Sequence, residues 1–266
     1  MKERVTCTID DQGIADVRLN RPEKHNGLDL AMFEALARVG EGLADNRAVR
    51  AVIVSGEGPS FCAGLDFKSF MAEDASAQTR LLERPAGTLA NRAQQIAWVW
   101  TEVPVPVIAA VHGACLGGGL QLALAADLRV AHPSAKLSVK EINYGLIPDM
   151  SITCTLGRLV RLDVAKLLTF TGRELGGQEA LQLGLVTELS DTPLAEARSW
   201  AEAIATRSPH AIRAAKKLWQ EAPALSSQEA LLLETELQLP LLGSKNQLEA
   251  VMAHFQKRRP EFEDPS

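Results

Sequence analysis

Cysteine is scarce in this chain and falls in no metal-binding or redox spacing. Cys7, Cys62, Cys115 and Cys154 are four residues in 266, with no CxxC pair among them. So few thiols fit free, packed side chains in a reducing compartment better than a disulfide framework. Long apolar runs are also missing. The longest, such as 107–111, hold five residues, against the roughly 20 that a membrane-spanning helix needs. The opening Met1-Lys2-Glu3-Arg4-Val5-Thr6 has no apolar signal core, so the expectation is a cytoplasmic protein without membrane insertion. Positive charge is in deficit as well: 28 Lys plus Arg against 33 Asp plus Glu give a net charge of −5. With aromatic residues at only 5% and no basic-aromatic stripe, a nucleic-acid function is disfavoured.

Familiar catalytic signatures are absent too. There is no GxSxG, HExxH, GxxxxGK[ST] or GxGxxG, and His25, His112, His132, His210 and His254 do not cluster at metal-ligand spacing. No metal is therefore expected, and nucleoside triphosphate hydrolysis loses support.

What remains is an ordinary globular composition, 46% hydrophobic and 23% charged, in a chain long enough to bury roughly three quarters of its unfolded surface. Short β-branched segments at 5–9, 14–19, 51–55, 107–112, 128–131 and 137–139 predict strands. Helical patterns lie between them. Asp29 can cap a helix that places Leu30, Phe33, Leu36 and Leu43 on one face, and a second helix covers 94–100. From Pro193 the period changes to three and four, through Leu194, Ala197, Trp200, Ala201 and Ile204, then Ile212, Ala215 and Trp219, then 231–242. The chain thus divides into a mixed α/β core, residues 1–192, and a helical region, 193–266, whose apolar faces must pack on the core or on another subunit. The polar, Ala-rich stretch 71–87 reads as a mobile helix or loop that could line a substrate entrance or be a plain surface excursion.

Two glycine-containing turns each leave a predicted strand: Phe61-Cys62-Ala63-Gly64-Leu65-Asp66, and Gly113-Ala114-Cys115-Leu116-Gly117-Gly118-Gly119. The triple glycine precedes a helical run, so its backbone N–H groups would point out of a helix N-terminus, where the dipole favours an anion. A tight strand-to-helix crossing would ask for the same glycines on steric grounds.

These turns, together with Leu19-Asn20-Arg21-Pro22-Glu23-Lys24-His25-Asn26-Gly27-Leu28, resemble the crotonase (enoyl-CoA hydratase/isomerase) superfamily in order and spacing, across almost the whole chain. The resemblance implies an α/β (α+β) fold: a crotonase-type spiral of ββα turns with two near-perpendicular sheets, and a C-terminal helical segment that joins subunits into a homotrimer or a dimer of trimers. The ligand it implies is an acyl-CoA thioester, with no separate cofactor because coenzyme A is part of the substrate. By position in the motifs, the backbone N–H groups of Leu65 and Gly118 would form the oxyanion hole. Ala63, Asp66 and Phe67 would contribute backbone beside the adenine, Lys24 and Lys68 would meet the phosphates, and Arg258 in the basic tail would reach coenzyme A. A solvated basic helix end is an equal account of that tail.

Family hydratases carry a glutamate two residues after the triple glycine and another twenty residues further on. Here the first is Gln121 and the second Glu141. A neutral amide can orient water or substrate but cannot exchange a proton. Eight residues beyond Glu141 stands Asp149, where hydratases usually have glycine, and this resembles dienoyl-CoA isomerase. Asp149 could instead cap a helix starting near Met150, and Glu141 could be a surface ion-pair partner. The expected function is an enoyl- or dienoyl-CoA isomerase with Glu141 and Asp149 as its acids. A hydratase with Gln in place of one Glu is the alternative, and a noncatalytic acyl-CoA binder the second. Trp98 and Trp100 could shape the acyl end or simply pack in the core.

Overall fold

The chain begins with an antiparallel hairpin, because two β-branched segments flank a turn that Asp10 closes by accepting from the amides of Gln12 and Ile14 at 2.9 Å each. Strand β1 (Val5–Ile9) pairs with β2 (Ile14–Leu19) from Val5 opposite Leu19 to Ile9 opposite Ala15. The structure, a computed structural model, describes residues 3–265. After α1 (Leu30–Asp45), strand β3 (Ala51–Gly56) adds parallel to β2. Helices α2 (Phe67–Ala72), α3 (Ala75–Arg80) and α4 (Arg92–Glu102) follow, then β4 (Val107–Val111), β5 (Ala114–Leu116) and α5 (Gly118–Leu124). Next come β6 (Leu128–Ala131), β7 (Lys136–Ser138), a 3-10 turn at Glu141–Tyr144, α6 (Ile152–Leu159), α7 (Leu162–Thr171) and β8 (Leu175–Gly176). The chain closes with α8 (Gly177–Gln182), β9 (Glu188–Leu189), α9 (Pro193–Ala205), α10 (Pro209–Glu221), α11 (Ser227–Gln238) and α12 (Lys245–Gln256).

The strands form two sheets, ordered β1-β2-β3-β4-β6-β9 and β5-β7-β8. From β2 to β9 every pairing in the larger sheet is parallel. Parallel strands need crossovers and are covered on both faces, which explains why β4 is apolar and buried at all five positions. One face packs against α1 and α4, where Met32, Leu36, Ile96, Ala97 and Trp100 meet the strand residues. Gly40 permits that approach, since a Cβ there would fall 2.5 Å from Cγ1 of Val99.

Asp29 does cap α1, accepting from the Met32 amide at 2.9 Å. The division at residue 193 needs amending, because α9 is part of the core: Ala197 and Ala201 pack on Ile14, Ile53, Ile108 and Val130 across the other sheet face. Helix α10 is anchored as well. Its buried Lys216 donates to the carbonyls of Trp100 and Val105 and pairs with Asp127 at 2.8 Å. Large apolar side chains stand in the open on α7, at Leu162 and Phe170, and from the end of α10 onward, among them Trp219, Leu231, Leu239, Leu242 and Phe255. Among the described residues, no helix is long and apolar enough to cross a membrane.

Candidate active site

Backbone pairing between the sheets brings the two glycine turns together. Cys62 and Cys115 form an isolated parallel bridge, with the Cys62 amide donating to Ala114 O at 2.9 Å and the Leu116 amide donating to Cys62 O at 3.0 Å. The residues that follow each cysteine therefore leave side by side. At Gly64, φ is +86° and a Cβ would lie 2.6 Å from Leu116 O and 3.5 Å from Gly118 N, so only glycine lets the turns close to this distance. Around them the amides have partners: Leu28 N donates to Gly64 O, Asp66 N to Leu28 O, Gly117 N to Ser138 O and Gln121 N to Gly117 O. Those of Leu65 and Gly118 join none of these turn and cap bonds among the described residues. Both residues line a cavity of about 290 Å³.

The cavity wall is mostly apolar, with Phe33, Phe70, Leu81, Leu82 and Ile147 among its residues, and Glu141 and Asp149 bring carboxylates into it. Glu141 starts the 3-10 turn after β7. Its Oε1 accepts from Gln121 Nε2 at 2.6 Å, while its Oε2 is buried without a partner among the described residues. Gln121, buried on α5, accepts at Oε1 from the Met150 amide at 2.8 Å. Burial raises the Glu141 carboxyl above its ordinary value and the Asp149 charge adds to this, against lowering by its own backbone amide, by the Gln121 hydrogen bond and by the Lys140 amide. Asp149 is exposed, yet the part of it that lies against the wall is desolvated enough to raise its carboxyl too. Desolvation disfavours the charged form, so both acids are shifted in the direction that proton transfer near neutral pH requires.

Several expectations are changed by this geometry. Asp149 caps nothing: α6 begins at Ile152 behind Ser151, and the aspartate is left facing the cavity. Gln121 turns to Glu141 and Met150, both protein groups. Trp100 is buried with its indole N–H on Ile96 O, Trp98 turns to Glu102, and neither lines the cavity. From the 71–87 stretch, Leu81 and Leu82 do line it.

Of the proposed coenzyme A contacts, Ala63 and Phe67 border the cavity and Phe67 packs on Tyr144, ring centroids 4.2 Å apart. Lys24 and Lys68 are exposed and outside the lining, on the 3-10 turn Pro22–Lys24 and on α2. The Asp66 carboxylate points inward to Arg21 and Ser69, its amide donates to Leu28 O, and its carbonyl receives the Phe70 amide. The carboxylate thus serves the turn from within, and the contact expected of Asp66 with coenzyme A is one of its backbone, not of this side chain. Arg258 is exposed and paired with Glu249 through both terminal guanidinium nitrogens, at 2.5 and 2.8 Å, outside the cavity lining.

Sequence reasoning missed Lys140, on the cavity wall and paired with Glu174, and the Met150 amide. It also missed Arg21 as organiser of the first turn. Backbone groups and long-range ion pairs leave no residue-type signal, although the buried position of Arg21 inside the Asn-Arg-Pro motif was a hint.

The amides of Leu65 and Gly118, which join none of these bonds among the described residues, thus open on the same mostly apolar cavity that Glu141 and Asp149 line. The chain belongs to the enoyl-CoA hydratase/isomerase family, which it matches over residues 10–265, and so to the crotonase superfamily of acyl-CoA enzymes. It is 34% identical over 259 residues to human "Enoyl-CoA hydratase domain-containing protein 2, mitochondrial", covering 95% of this chain and 86% of that protein. It is 30% identical over 260 residues to mouse "Methylglutaconyl-CoA hydratase, mitochondrial", covering 95% and 80%. Among solved structures, enoyl-CoA hydratase from Bacillus anthracis superposes with a TM-score of 0.89 at 30% identity, covering 97% of this chain and 98% of that one.

Proposed function

We propose that the protein is an enoyl-CoA isomerase that moves double bonds through an enolate, with dienoyl-CoA thioesters as substrates that use both of its acids. The thioester oxygen lies between the amides of Leu65 and Gly118, where preorganised donors lower the cost of the developing negative charge. Asp149, as carboxylate, removes the C2 proton. The electron pair spreads along the conjugated chain, and protonated Glu141 returns a proton at the distal carbon, leaving the double bonds in conjugation with the thioester. For a 3-enoyl substrate the distance is short enough for one carboxylate to carry the proton. Lys24 and Lys68 provide positive charge for the coenzyme A phosphates, and the assembly is a homotrimer or a dimer of trimers.

One observation carries this reading. Gln121, a neutral amide, is engaged at each end by a protein group, Glu141 and Met150, so it supplies no second transferable proton. The names of the relatives favour hydration as the second reading. The two are separated by incubating the protein in deuterated water with 2-enoyl-, 3-enoyl- and 3,5-dienoyl-CoA. Isomerisation places label on the acyl chain and forms no alcohol. Rapid conversion of the 2-enoyl thioester into a 3-hydroxyacyl product overturns the assignment.

A further inference from the structure

We infer that Gln121 is a positioning residue that dictates which oxygen of Glu141 carries the transferable proton, restricting it to Oε2. The argument begins at the backbone of Met150, whose N–H can only donate. The group that meets it at 2.8 Å must be an acceptor, so the Gln121 amide presents Oε1 there. With that end fixed, the other end is the NH2 group, which lies 2.6 Å from Glu141 Oε1. A hydrogen on Oε1 directed along that contact would oppose an N–H. Oε1 is therefore the acceptor oxygen in both charge states, and protonation falls on Oε2, the buried oxygen without a hydrogen-bond partner among the described residues.

Two further features hold the carboxyl in this pose. Gly117, with φ of +52°, sits beneath it, and a Cβ there would come within 3.1 Å of Glu141 Oε1. Helix α5, which carries Gln121, has Gly118 at its first turn, so the oxyanion donor and the residue that orients the acid are on one rigid element. A proton on Oε2 then has a defined position relative to the Gly118 amide, and transfer to a chosen carbon of a held acyl chain follows from geometry.

The inference rests on Glu141 being the proton carrier proposed above, but it concerns the carboxyl itself and is read without substrate. Other titratable or charged groups around Glu141 are Asp149, Tyr144 and Lys140 on the cavity wall, the last paired with Glu174. Helix α7, packed behind the turn, bears the exposed Lys166 and Asp163, the latter paired with Arg161. Helix α5 has no charged residue.

The test uses the full chain with its glutamates carboxyl-labelled with carbon-13, the Glu141 signal being identified by its loss in Glu141→Gln. In Gln121→Met, a side chain of similar length without donor or acceptor, the Glu141 midpoint rises by about one pH unit because the carboxylate loses a donor. In infrared difference spectra across the titration, the carbonyl stretch of the protonated acid moves to higher frequency as Oε1 becomes free. Gln121→Glu provides the second variant. It keeps an acceptor for Met150 while replacing the donor by a negative charge, and the midpoint rises further. A midpoint and carbonyl frequency unchanged in both variants overturn the inference, even if the protein isomerises enoyl thioesters. A protein that labels no thioester yet shows these shifts defeats the proposed function and leaves the proton assignment standing.

Discussion

Nη1 of Arg21 lies 2.8 Å from Oδ2 of Asp66, in a pair whose side chains retain 8% and 14% of their exposure. The same guanidinium donates to Gly27 O at 3.0 Å, and Asp66 accepts from the Ser69 amide and hydroxyl. This polar knot fastens the segment 21–27 to the turn that presents the Leu65 amide. The donor proposed for the enolate oxygen is thereby held by side chains outside the cavity lining.

Removing one member leaves the other buried and charged, which costs about 3–5 kcal/mol for pairs of this kind. Arg21→Met is expected to lower stability by an amount in that range and to reduce kcat more than it raises KM. Urea unfolding and steady-state kinetics measure the two effects. Asp66→Asn, which keeps the shape, should be milder on stability.

Acid stability carries the signature of the same pair. Hydrogen bonds from Ser69 and Arg21 and the Arg21 charge outweigh the raising effect of burial and hold the Asp66 carboxyl at about 2, below its ordinary 3.8. A depressed acid contributes stability that is complete above its unfolded value and lost as pH falls through the folded one. Stability therefore drops between about pH 4 and pH 2. That portion of the fall is expected to be absent from an acid-unfolding series on Asp66→Asn.

The glycine turns predict a loss of rate without loss of fold. In Gly64→Ala, the φ of +86° and the contact with Leu116 O force the first turn away from Gly118. Losing one oxyanion donor typically costs a factor of about 100 to 1000, and kcat should fall by that order. In Gly118→Ala the added methyl meets only the flexible ends of Leu28, Cδ1 at 2.8 Å, and Met150, Sδ at 2.9 Å, so kcat should fall less than in Gly64→Ala. Circular dichroism and kcat on each variant provide the check.

For the acid pair, the pH–rate profile of dienoyl isomerisation is expected to be bell-shaped. The acidic limb reports protonation of Asp149 and the alkaline limb ionisation of Glu141, both displaced above the ordinary carboxylate range by burial. The two limbs belong to the coupled pair. Asp149→Asn and Glu141→Gln should each lower kcat about a hundredfold or more. Full activity in Asp149→Asn shows that only Glu141 moves protons.

Stability should run opposite to activity at Glu141. A carboxyl with a raised folded pKa keeps its proton in the native state where the unfolded chain has lost it, so stability declines as pH rises through that window. Glu141→Gln removes the decline. At neutral pH its Tm should exceed that of the parent protein, and the gap should close as pH is lowered past the unfolded value.

Much of the fold could be read from the chain because it depends on neighbours a few residues apart. The strand segments from 5–9 to 128–131, the Asp29 cap and the glycine turns follow from β-branching, a side-chain oxygen beside a helix start, and backbone angles that favour glycine. The motif order that identified the family is local in the same sense. The tertiary structure alone decided what the site residues do. Gln121 reads as a substrate-orienting amide until Glu141, 20 residues away, and Met150, 29 away, are folded against it. Asp149 reads as either an acid or a helix cap until α6 is seen to start beyond it, and Arg21 as one member of a motif until Asp66 is folded against it. The physical reason is common to all three. A polar side chain's role is set by which donor or acceptor lies within about 3 Å of it, and in a spiral of parallel strands those partners come from distant segments that only the completed sheets bring into register.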